Sequence, residues 1–343
     1  MQFKKLGNSG LITSDLALGT MLFGENAARS TLKEVAIQQI HHYLDQGGNH
    51  IDTANVYADG RSEEILGEAL KGIRQEIILA TKVRFPRGKG PNKTGLSRGH
   101  IIQEVEASLN RLQTDYLDLY YMHCWDPLTP IEESLLAFED LVRAGKVRYI
   151  GVSNFKAWQV MKSLGISDQK GISRFIAAQY QYSLVKRDIE YEFPDLCASE
   201  GIGITAWGPL GGGFLSGKYR ADQKPRGSEA GRIGTTPSVA EESWDRRNTA
   251  KNWETLQVVQ EIAESKRANP AQIAISWLRH QPLVSSVILG ARTLPQLEDN
   301  LKAAQIQLSL DELKRLSDVS QPDELYPYRM IEAYGNRSLQ TEI

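Results

Sequence analysis

Short apolar segments alternate with amphipathic helical segments eight times along this chain, and this repetition constrains its fold more than any other feature. The apolar segments are rich in Ile, Val, Leu and Ala, which is typical of buried parallel strands covered by helices. Eight such units predict an α/β fold, namely a closed (β/α)8 barrel of the TIM type. The rival, an open doubly wound sheet, requires a glycine-rich dinucleotide turn after its first strand. The sequence GTMLFGEN at that point lacks this turn.

The apolar runs and their flanking residues give approximate element boundaries. Strands are predicted at 16–20, 50–52, 76–83, 116–123, 147–154, 175–182, 201–210 and 284–290. Helices are predicted at 31–47, 62–72, 97–113, 131–146, 155–164, 188–200 and 294–304. Ser62 and Ser97 are predicted N-caps, and Gly145 is predicted to end its helix.

Two segments lie outside the eight units. Residues 2–14 are predicted to form a β-hairpin around GNSG, which would plug the bottom of a barrel. Residues 211–250, after the seventh strand, form a long polar loop rich in Gly, Arg and Ser. Loops of this length are usually functional lids or disordered segments. No composition shift marks a boundary, so residues 1–343 are predicted to form a single domain.

The composition argues against several classes of function. A formal net charge of -2 gives no electrostatic basis for binding nucleic acid or an anionic membrane. The two cysteines, Cys124 and Cys197, are too few for a disulfide scaffold and fit a reducing compartment. The N-terminus lacks the apolar core of a signal peptide, and no apolar run approaches the length of a membrane span. The sequence therefore predicts a cytoplasmic protein.

Polar residues stand where several predicted strands end. Asp52 and Tyr57 follow the second strand, Lys82 ends the third and His123 ends the fourth. Each has an ordinary explanation by itself: a helix-capping Asp, a packing Tyr, a surface Lys or a buried His. Their joint placement favours a function, because strand ends converge at one barrel mouth and a buried Lys or Asp needs a partner.

The residue types suggest an acid catalyst built on a phenol. Tyrosine has an ordinary pKa near 10, and a nearby ammonium lowers that pKa by stabilising the phenolate. Lys82 is predicted to lower the pKa of Tyr57 toward neutrality, with Asp52 paired to the lysine. Tyr57 would donate a proton to a developing alkoxide, while His123 would orient a carbonyl oxygen or assist proton delivery.

The motifs that surround these residues resemble those of the aldo-keto reductase family. GNHIDTANVYADGRSEEILGEAL, GVSNF and VILGARTLPQLEDN are similar to family signatures, and the resemblance covers nearly the whole chain. Asp52, Tyr57, Lys82 and His123 match the catalytic tetrad of the family in order. The resemblance implies a (β/α)8 barrel and NADPH-dependent reduction of aldehydes and ketones. It leaves the oligomeric state open between a monomer and a homo-oligomer.

The resemblance also implies where the cofactor lies. Ser153, Asn154 and Gln179 would hold the nicotinamide carboxamide, and Trp207 would offer the flat surface that many members provide with tyrosine. Arg292 suits the 2′-phosphate of NADPH, although neighbouring Asp299 and Glu298 keep NADH open. The further cofactor positions are Thr20, Met21, Leu210, Gly212, Ser216, Lys218, Gly290, Gln296 and Asn300.

The substrate would be a small-molecule carbonyl compound held between Tyr57 and His123. Its apolar walls are predicted to come from Met21, Phe23, Phe85, Trp125 and Trp244. The C-terminal tail, about 321–343, carries three tyrosines and is predicted to cap the mouth. The stretch RFPRGKGPNKTGLSRGH resembles the aryl-alcohol dehydrogenase-like branch, which hints at aromatic or sugar-derived carbonyls.

Two other functions remain open at this point. Potassium-channel β-subunits share the fold and retain cofactor binding, and such subunits can keep the tetrad. A different barrel enzyme, such as an aldolase or an isomerase, would use a Schiff-base lysine or metal ligands. Lys82 could be such a Schiff-base lysine. No cluster of His and carboxylates has the spacing of metal ligands.

Overall fold

The structure, a computed structural model, describes residues 1–24, 30–227 and 230–335. Residues 228–229 of the long loop and 336–343 of the tail lie outside the described residues. Eight of the strands are parallel: β3 (Leu16–Gly19), β4 (His50–Asp52), β5 (Ile78–Val83), β6 (Leu117–Met122), β7 (Val147–Ser153), β8 (Phe175–Gln181), β9 (Gly203–Trp207) and β10 (Val284–Leu289). They close into a barrel in the order β10-β3-β4-β5-β6-β7-β8-β9, which confirms the predicted (β/α)8 architecture.

The strand register brings the predicted site residues to one level. Gly19 pairs with Asp52 between β3 and β4, and Ser153 pairs with Gln179 between β7 and β8. Since all eight strands are parallel, their carboxyl ends meet at the same end of the barrel.

Helices surround the barrel, and their bounds agree with most of the predicted segments. They are α1 (Lys33–Asp45), α2 (Arg61–Ala69), α3 (Arg98–Leu112), α4 (Ile131–Arg143), α5 (Ala157–Lys170), α6 (Phe193–Glu200), α7 (Gly231–Thr235), α8 (Trp244–Arg247), α9 (Ala250–Ser265), α10 (Pro270–Arg279), α11 (Leu294–Leu301), α12 (Leu310–Val319) and α13 (Tyr328–Tyr334). No helix in the described part of the chain combines the length and the apolar character that crossing a bilayer requires.

Three long helices, α9, α10 and α12, were not predicted. A signal for α10 stands in the sequence, because Asn269 and Gln272 form a capping box around Pro270 at the start of the helix. Ser309 and Glu312 form the same box at the start of α12. Both patterns could therefore have revealed their helices.

The predicted helix boundaries are partly right. The Ser97 hydroxyl accepts a hydrogen bond from the His100 amide at the start of α3, and Gly145 adopts a left-handed conformation (φ 73°) after α4. The predicted cap at Ser62 is wrong, because α2 begins one residue earlier, after Gly60. The Ser62 hydroxyl instead donates to the carbonyl oxygen of Thr20, at 3.0 Å, and so ties the helix to the turn after β3.

The N-terminal hairpin closes the bottom of the barrel, as predicted. Strands β1 (Phe3–Lys5) and β2 (Ile12–Ser14) pair antiparallel. Leu6 is fully buried and packs in the barrel with four residues of three strands: Ala80, Leu119, Tyr121 and Ala177. The turn that follows Leu6 lies so close to the chain that enters β9 that a Cβ on Gly7 would stand 2.4 Å from the carbonyl oxygen of Gly201.

The segment between β9 and α9 is folded in its described part. It contains a 3₁₀ helix (Gly211–Ser216) and the short helices α7 and α8. Gly212 has a φ of 73°, and a Cβ at this position would stand 2.5 Å from the Ile233 side chain. This contact packs α7 against the chain that leaves β9.

Candidate active site

A cavity of about 1000 Å³ opens at the carboxyl ends of the barrel strands. A volume of this order suits a ligand of cofactor size. Among the tetrad positions, Asp52, Tyr57 and His123 line it. The other predicted site residues that line it are Thr20, Met21, Phe85, Ser153, Asn154, Gln179, Trp207, Leu210, Gly212, Ser216, Lys218, Gly290, Arg292, Gln296 and Asn300.

Lys82 lies beneath the floor of the cavity, fully buried, and connects Asp52 to Tyr57. Its Nζ lies 2.5 Å from Oδ1 of Asp52, 2.7 Å from the carbonyl oxygen of Thr53 and 3.2 Å from the hydroxyl oxygen of Tyr57. The ammonium thus donates its three N–H groups to three oxygen atoms. The Asp52 carboxylate thus stabilises the charged form of Lys82, whose ammonium contacts the phenol of Tyr57.

The second oxygen of Asp52 also has a partner. The side-chain amide of Gln179 donates to Oδ2 of Asp52 at 2.8 Å, and the Ser153 hydroxyl donates to the Gln179 carbonyl oxygen at 2.8 Å. Asn154, in a left-handed conformation (φ 54°), donates to the carbonyl oxygen of His123 at 2.8 Å. The residues predicted to bind a carboxamide therefore form one network with the tetrad.

His123 stands beside Tyr57 at the cavity wall. The two rings have centroids 6.2 Å apart, and Phe85 packs edge-on against His123 with centroids 4.7 Å apart. The Nδ1 atom of His123 is buried without a hydrogen-bond partner among the described residues. Burial, helped by the charge of Lys82, holds the pKa of His123 well below its usual value of 6.5. The imidazole is therefore neutral at physiological pH.

The predicted direction of the Tyr57 pKa shift is wrong. Burial raises the pKa of Tyr57 above its usual value of 10, and the ammonium of Lys82 opposes this shift only in part. Burial also lowers the pKa of Lys82, but Asp52 and Tyr57 outweigh burial and leave this pKa above its usual value. The structure therefore holds a protonated phenol against a charged ammonium.

The segments after β9 and β10 add phosphate-compatible groups to the cavity. Leu210, Gly212 and Lys218 follow β9, and Gly290 and Arg292 follow β10, and all five line the cavity. A Cβ on Gly290 would meet no atom within 4 Å, so the backbone there is open to a ligand. Cationic side chains and exposed glycine backbone are suited to phosphate groups.

Three aromatic residues predicted as substrate walls lie outside the lining. Phe23 is fully buried in the core. Trp125 packs against Phe155 and Trp158, and Trp244 is buried against Tyr219 and Trp253. Phe23 and Trp125 follow barrel strands, and Trp244 lies in the long loop. The sequence places these residues after the strands but does not predict the direction of their side chains.

The predicted cap at the mouth remains a prediction. The described part of the tail contacts segments that follow β8 and β9, where Tyr328 stacks on Tyr191 and Asp323 pairs with Lys251. The carbonyl oxygen of Asp323 also accepts a hydrogen bond from the Tyr191 hydroxyl at 2.7 Å. Residues 336–343 lie outside the described residues.

The sequence-based predictions missed several polar residues of the lining. The long loop contributes Tyr219, Arg220, Gln223, Arg226, Arg232 and Glu242, and α10 contributes Asn269 at its N-cap. The high Arg and Gly content of the loop was the one available signal. No group of three or more His, Cys, Asp or Glu residues that could hold a metal ion occurs within residues 1–24, 30–227 and 230–335.

Comparisons with known proteins add an independent finding. The pattern of the Aldo/keto reductase family matches residues 15–321. The chain is 36% identical to a probable voltage-gated potassium channel subunit beta of Arabidopsis thaliana, over 89% of this chain and 92% of the relative. It is 35% identical to an uncharacterized oxidoreductase of Bacillus subtilis, over 93% and 96% of the two chains. It is 36% identical to norsolorinic acid reductase of Emericella nidulans, over 93% and 81%.

Proposed function

The chain belongs to the aldo/keto reductase family, an oxidoreductase family, and on that premise we propose that it reduces aldehyde or ketone carbonyls to alcohols with NADPH. The observation that carries the proposal is the contact of 3.2 Å between the Tyr57 hydroxyl and the Asp52-paired ammonium of Lys82, in the wall of a cavity of dinucleotide size.

Tyr57 acts as the general acid in this proposal. Its raised pKa keeps the hydroxyl protonated at neutral pH, which a proton donor requires. A carbonyl oxygen that gains electrons becomes an alkoxide, a far stronger base than a phenolate, and takes the proton of Tyr57. Lys82 then faces a phenolate and stabilises it, because its own positive charge is held by Asp52.

His123 acts as a hydrogen-bond donor that orients the substrate. A neutral imidazole carries one N–H group, and this group can point at a carbonyl oxygen without supplying a full charge. Phe85 packs edge-on against the ring and limits its rotation. The substrate carbonyl would thus be held between two donors, one of which gives up its proton.

The cofactor residues are assigned by the same reasoning. A bound reduced nicotinamide supplies a hydride. Ser153, Asn154 and Gln179 would orient its carboxamide, and the indole of Trp207 would present a flat apolar surface to its ring. Arg292 favours NADPH over NADH, because a guanidinium can bind the 2′-phosphate through two parallel hydrogen bonds.

The variant Tyr57→Phe tests this proposal. It removes the acidic hydroxyl and keeps the ring, so kcat for aldehyde reduction should fall by roughly 10²–10⁴-fold. Binding of NADPH, followed by protein fluorescence, should stay within about twofold because the ring packing is retained. Tyr116→Phe is the matched control, since Tyr116 lies outside the barrel between Arg74 and Arg148. Activity of Tyr57→Phe within tenfold of wild type would refute Tyr57 as the acid.

A second function has one specific observation in its favour, the similarity to the Arabidopsis thaliana channel-subunit relative. A protein of that kind would bind the cofactor and act as a partner of another protein. A panel of aldehydes, ketones and sugars, assayed with NADPH and with NADH, separates the two functions. Cofactor binding without turnover of any compound would favour the partner function.

A further inference from the structure

The long loop places an arginine in the wall of the catalytic cavity. Arg232, on α7, lines the same cavity as Tyr57 and His123. Its Nε lies 2.5 Å from Oε2 of Glu242, and the side chains of Arg232 and Glu242 are 35% and 4% exposed. The Nε side of the guanidinium therefore lies against a buried carboxylate. In the described part of the chain, no hydrogen bond engages the two terminal nitrogens of Arg232.

A second arginine, Arg247, is buried within the electrostatic influence of Glu242. Arg247 is 3% exposed and donates one hydrogen bond, from Nη1 to the carbonyl oxygen of Val185 at 3.2 Å. Burial lowers the pKa of Arg247, and the charge of Glu242 opposes this shift. Of these two arginines, Arg232 is the one that lines the cavity.

The positive charge of Arg232 acts on Tyr57, the proposed acid. Burial raises the pKa of Tyr57, and Arg232 is one of the charges that oppose this shift. The lining of the same cavity also includes the apolar side chains of Met21, Leu22 and Val56. The cavity thus offers a ligand the phenol of Tyr57, the imidazole of His123, apolar surface and the guanidinium of Arg232.

We infer that Arg232 determines substrate specificity by binding an anionic group, such as a carboxylate, of the carbonyl compound that Tyr57 protonates. This inference rests on the proposed carbonyl reduction. Its basis is the cavity that Arg232 shares with Tyr57, the ion pair of its Nε with the buried Glu242, and the lack of hydrogen bonds to its terminal nitrogens in the described part of the chain. The terminal nitrogens of a guanidinium match the two oxygens of a carboxylate, which gives both affinity and orientation.

The test compares acids with their neutral esters. The substrates are the ortho, meta and para carboxybenzaldehydes and the corresponding methyl formylbenzoates, assayed with NADPH. The proteins are wild type, Arg232→Gln and the matched control Arg246→Gln, whose arginine is exposed on α8 of the same loop. At least one acid should exceed its ester in kcat/KM for wild type. In Arg232→Gln this acid-to-ester ratio should fall by roughly 10-fold or more, mainly through KM, as expected for a lost charged hydrogen bond.

Each other outcome is decisive. Equal kcat/KM for every acid and its ester in wild type refutes the inference and leaves the proposed function intact. A loss in Arg232→Gln that is equal for acids and esters, together with a raised Kd for NADPH, assigns the arginine to the cofactor and also refutes it. Absence of turnover for all of these aldehydes refutes the proposed reduction of such substrates, and this inference falls with it. A fall of the acid-to-ester ratio in Arg246→Gln would show a general charge effect and overturn the assignment to Arg232.

Discussion

Removing the ammonium of Lys82 should destabilise the fold as well as the catalytic site. The Lys82 and Asp52 side chains are 0% and 3% exposed, and Nζ and Oδ1 are 2.5 Å apart. At an effective dielectric constant near 20, this separation corresponds to about 7 kcal/mol of attraction. Desolvation costs several kcal/mol for each ion and offsets most of that attraction.

The variant Lys82→Met removes the attraction and leaves the buried Asp52 charged. One hydrogen bond from Gln179 would remain on the carboxylate, and the carbonyl oxygen of Thr53 would lose its donor. Breaking a buried pair in this way is expected to lower the free energy of unfolding by about 3–5 kcal/mol. The measurement is urea denaturation at pH 7, followed by circular dichroism.

The double variant Asp52→Asn/Lys82→Met supplies the control. It removes both charges, so its destabilisation should be at least about 2 kcal/mol smaller than the sum of the two single effects. Strictly additive effects would contradict the reasoning, because they would mean that neither charge depends on the other. A cost below about 1 kcal/mol for Lys82→Met would contradict the assumption that Asp52 stays ionised.

Three further predictions concern separate parts of the molecule. Burial lowers the pKa of His50 to about 4, below its value in the unfolded chain. As the pH falls, the imidazole is therefore protonated in the unfolded chain before it is protonated in the folded protein, which favours unfolding. Between pH 6.5 and pH 4 the free energy of unfolding should therefore fall by about 3 kcal/mol more in wild type than in His50→Gln, as measured by urea denaturation. NADPH should quench the protein fluorescence of wild type more than that of Trp207→Phe, and equal quenching would contradict the proposed stack. Arg292→Ala should raise KM for NADPH by about tenfold and change KM for NADH by less than about threefold, and equal changes for both would contradict a 2′-phosphate contact.

The barrel was predictable because its signal is local and repeated. Each strand–helix unit carries its own apolar run and helical period, and eight parallel units of this kind have few ways to bury their strands. The hairpin at GNSG and the cap at Ser97 are equally local. Ser62 shows the limit of such signals, since its hydroxyl is used by the distant turn at Thr20 rather than by its own helix.

The positions of the tetrad followed from topology, because residues at the ends of neighbouring parallel strands lie together. Their protonation states did not follow. The pKa of Tyr57 depends on the balance between burial and the charge of Lys82, and that balance requires the depth of the hydroxyl and the distance to the ammonium.

The sequence by itself thus determined the barrel, the order of its strands and the end at which Asp52, Tyr57 and His123 meet, because strand direction fixes these features. Only the tertiary structure decided that Phe23 and Trp244 are buried away from the cavity, while Arg232 enters it with Glu242 behind it. The physical reason is that the loops after β3 and β9 have no repeating pattern. The direction of each of their side chains is set by packing against residues that are distant in sequence.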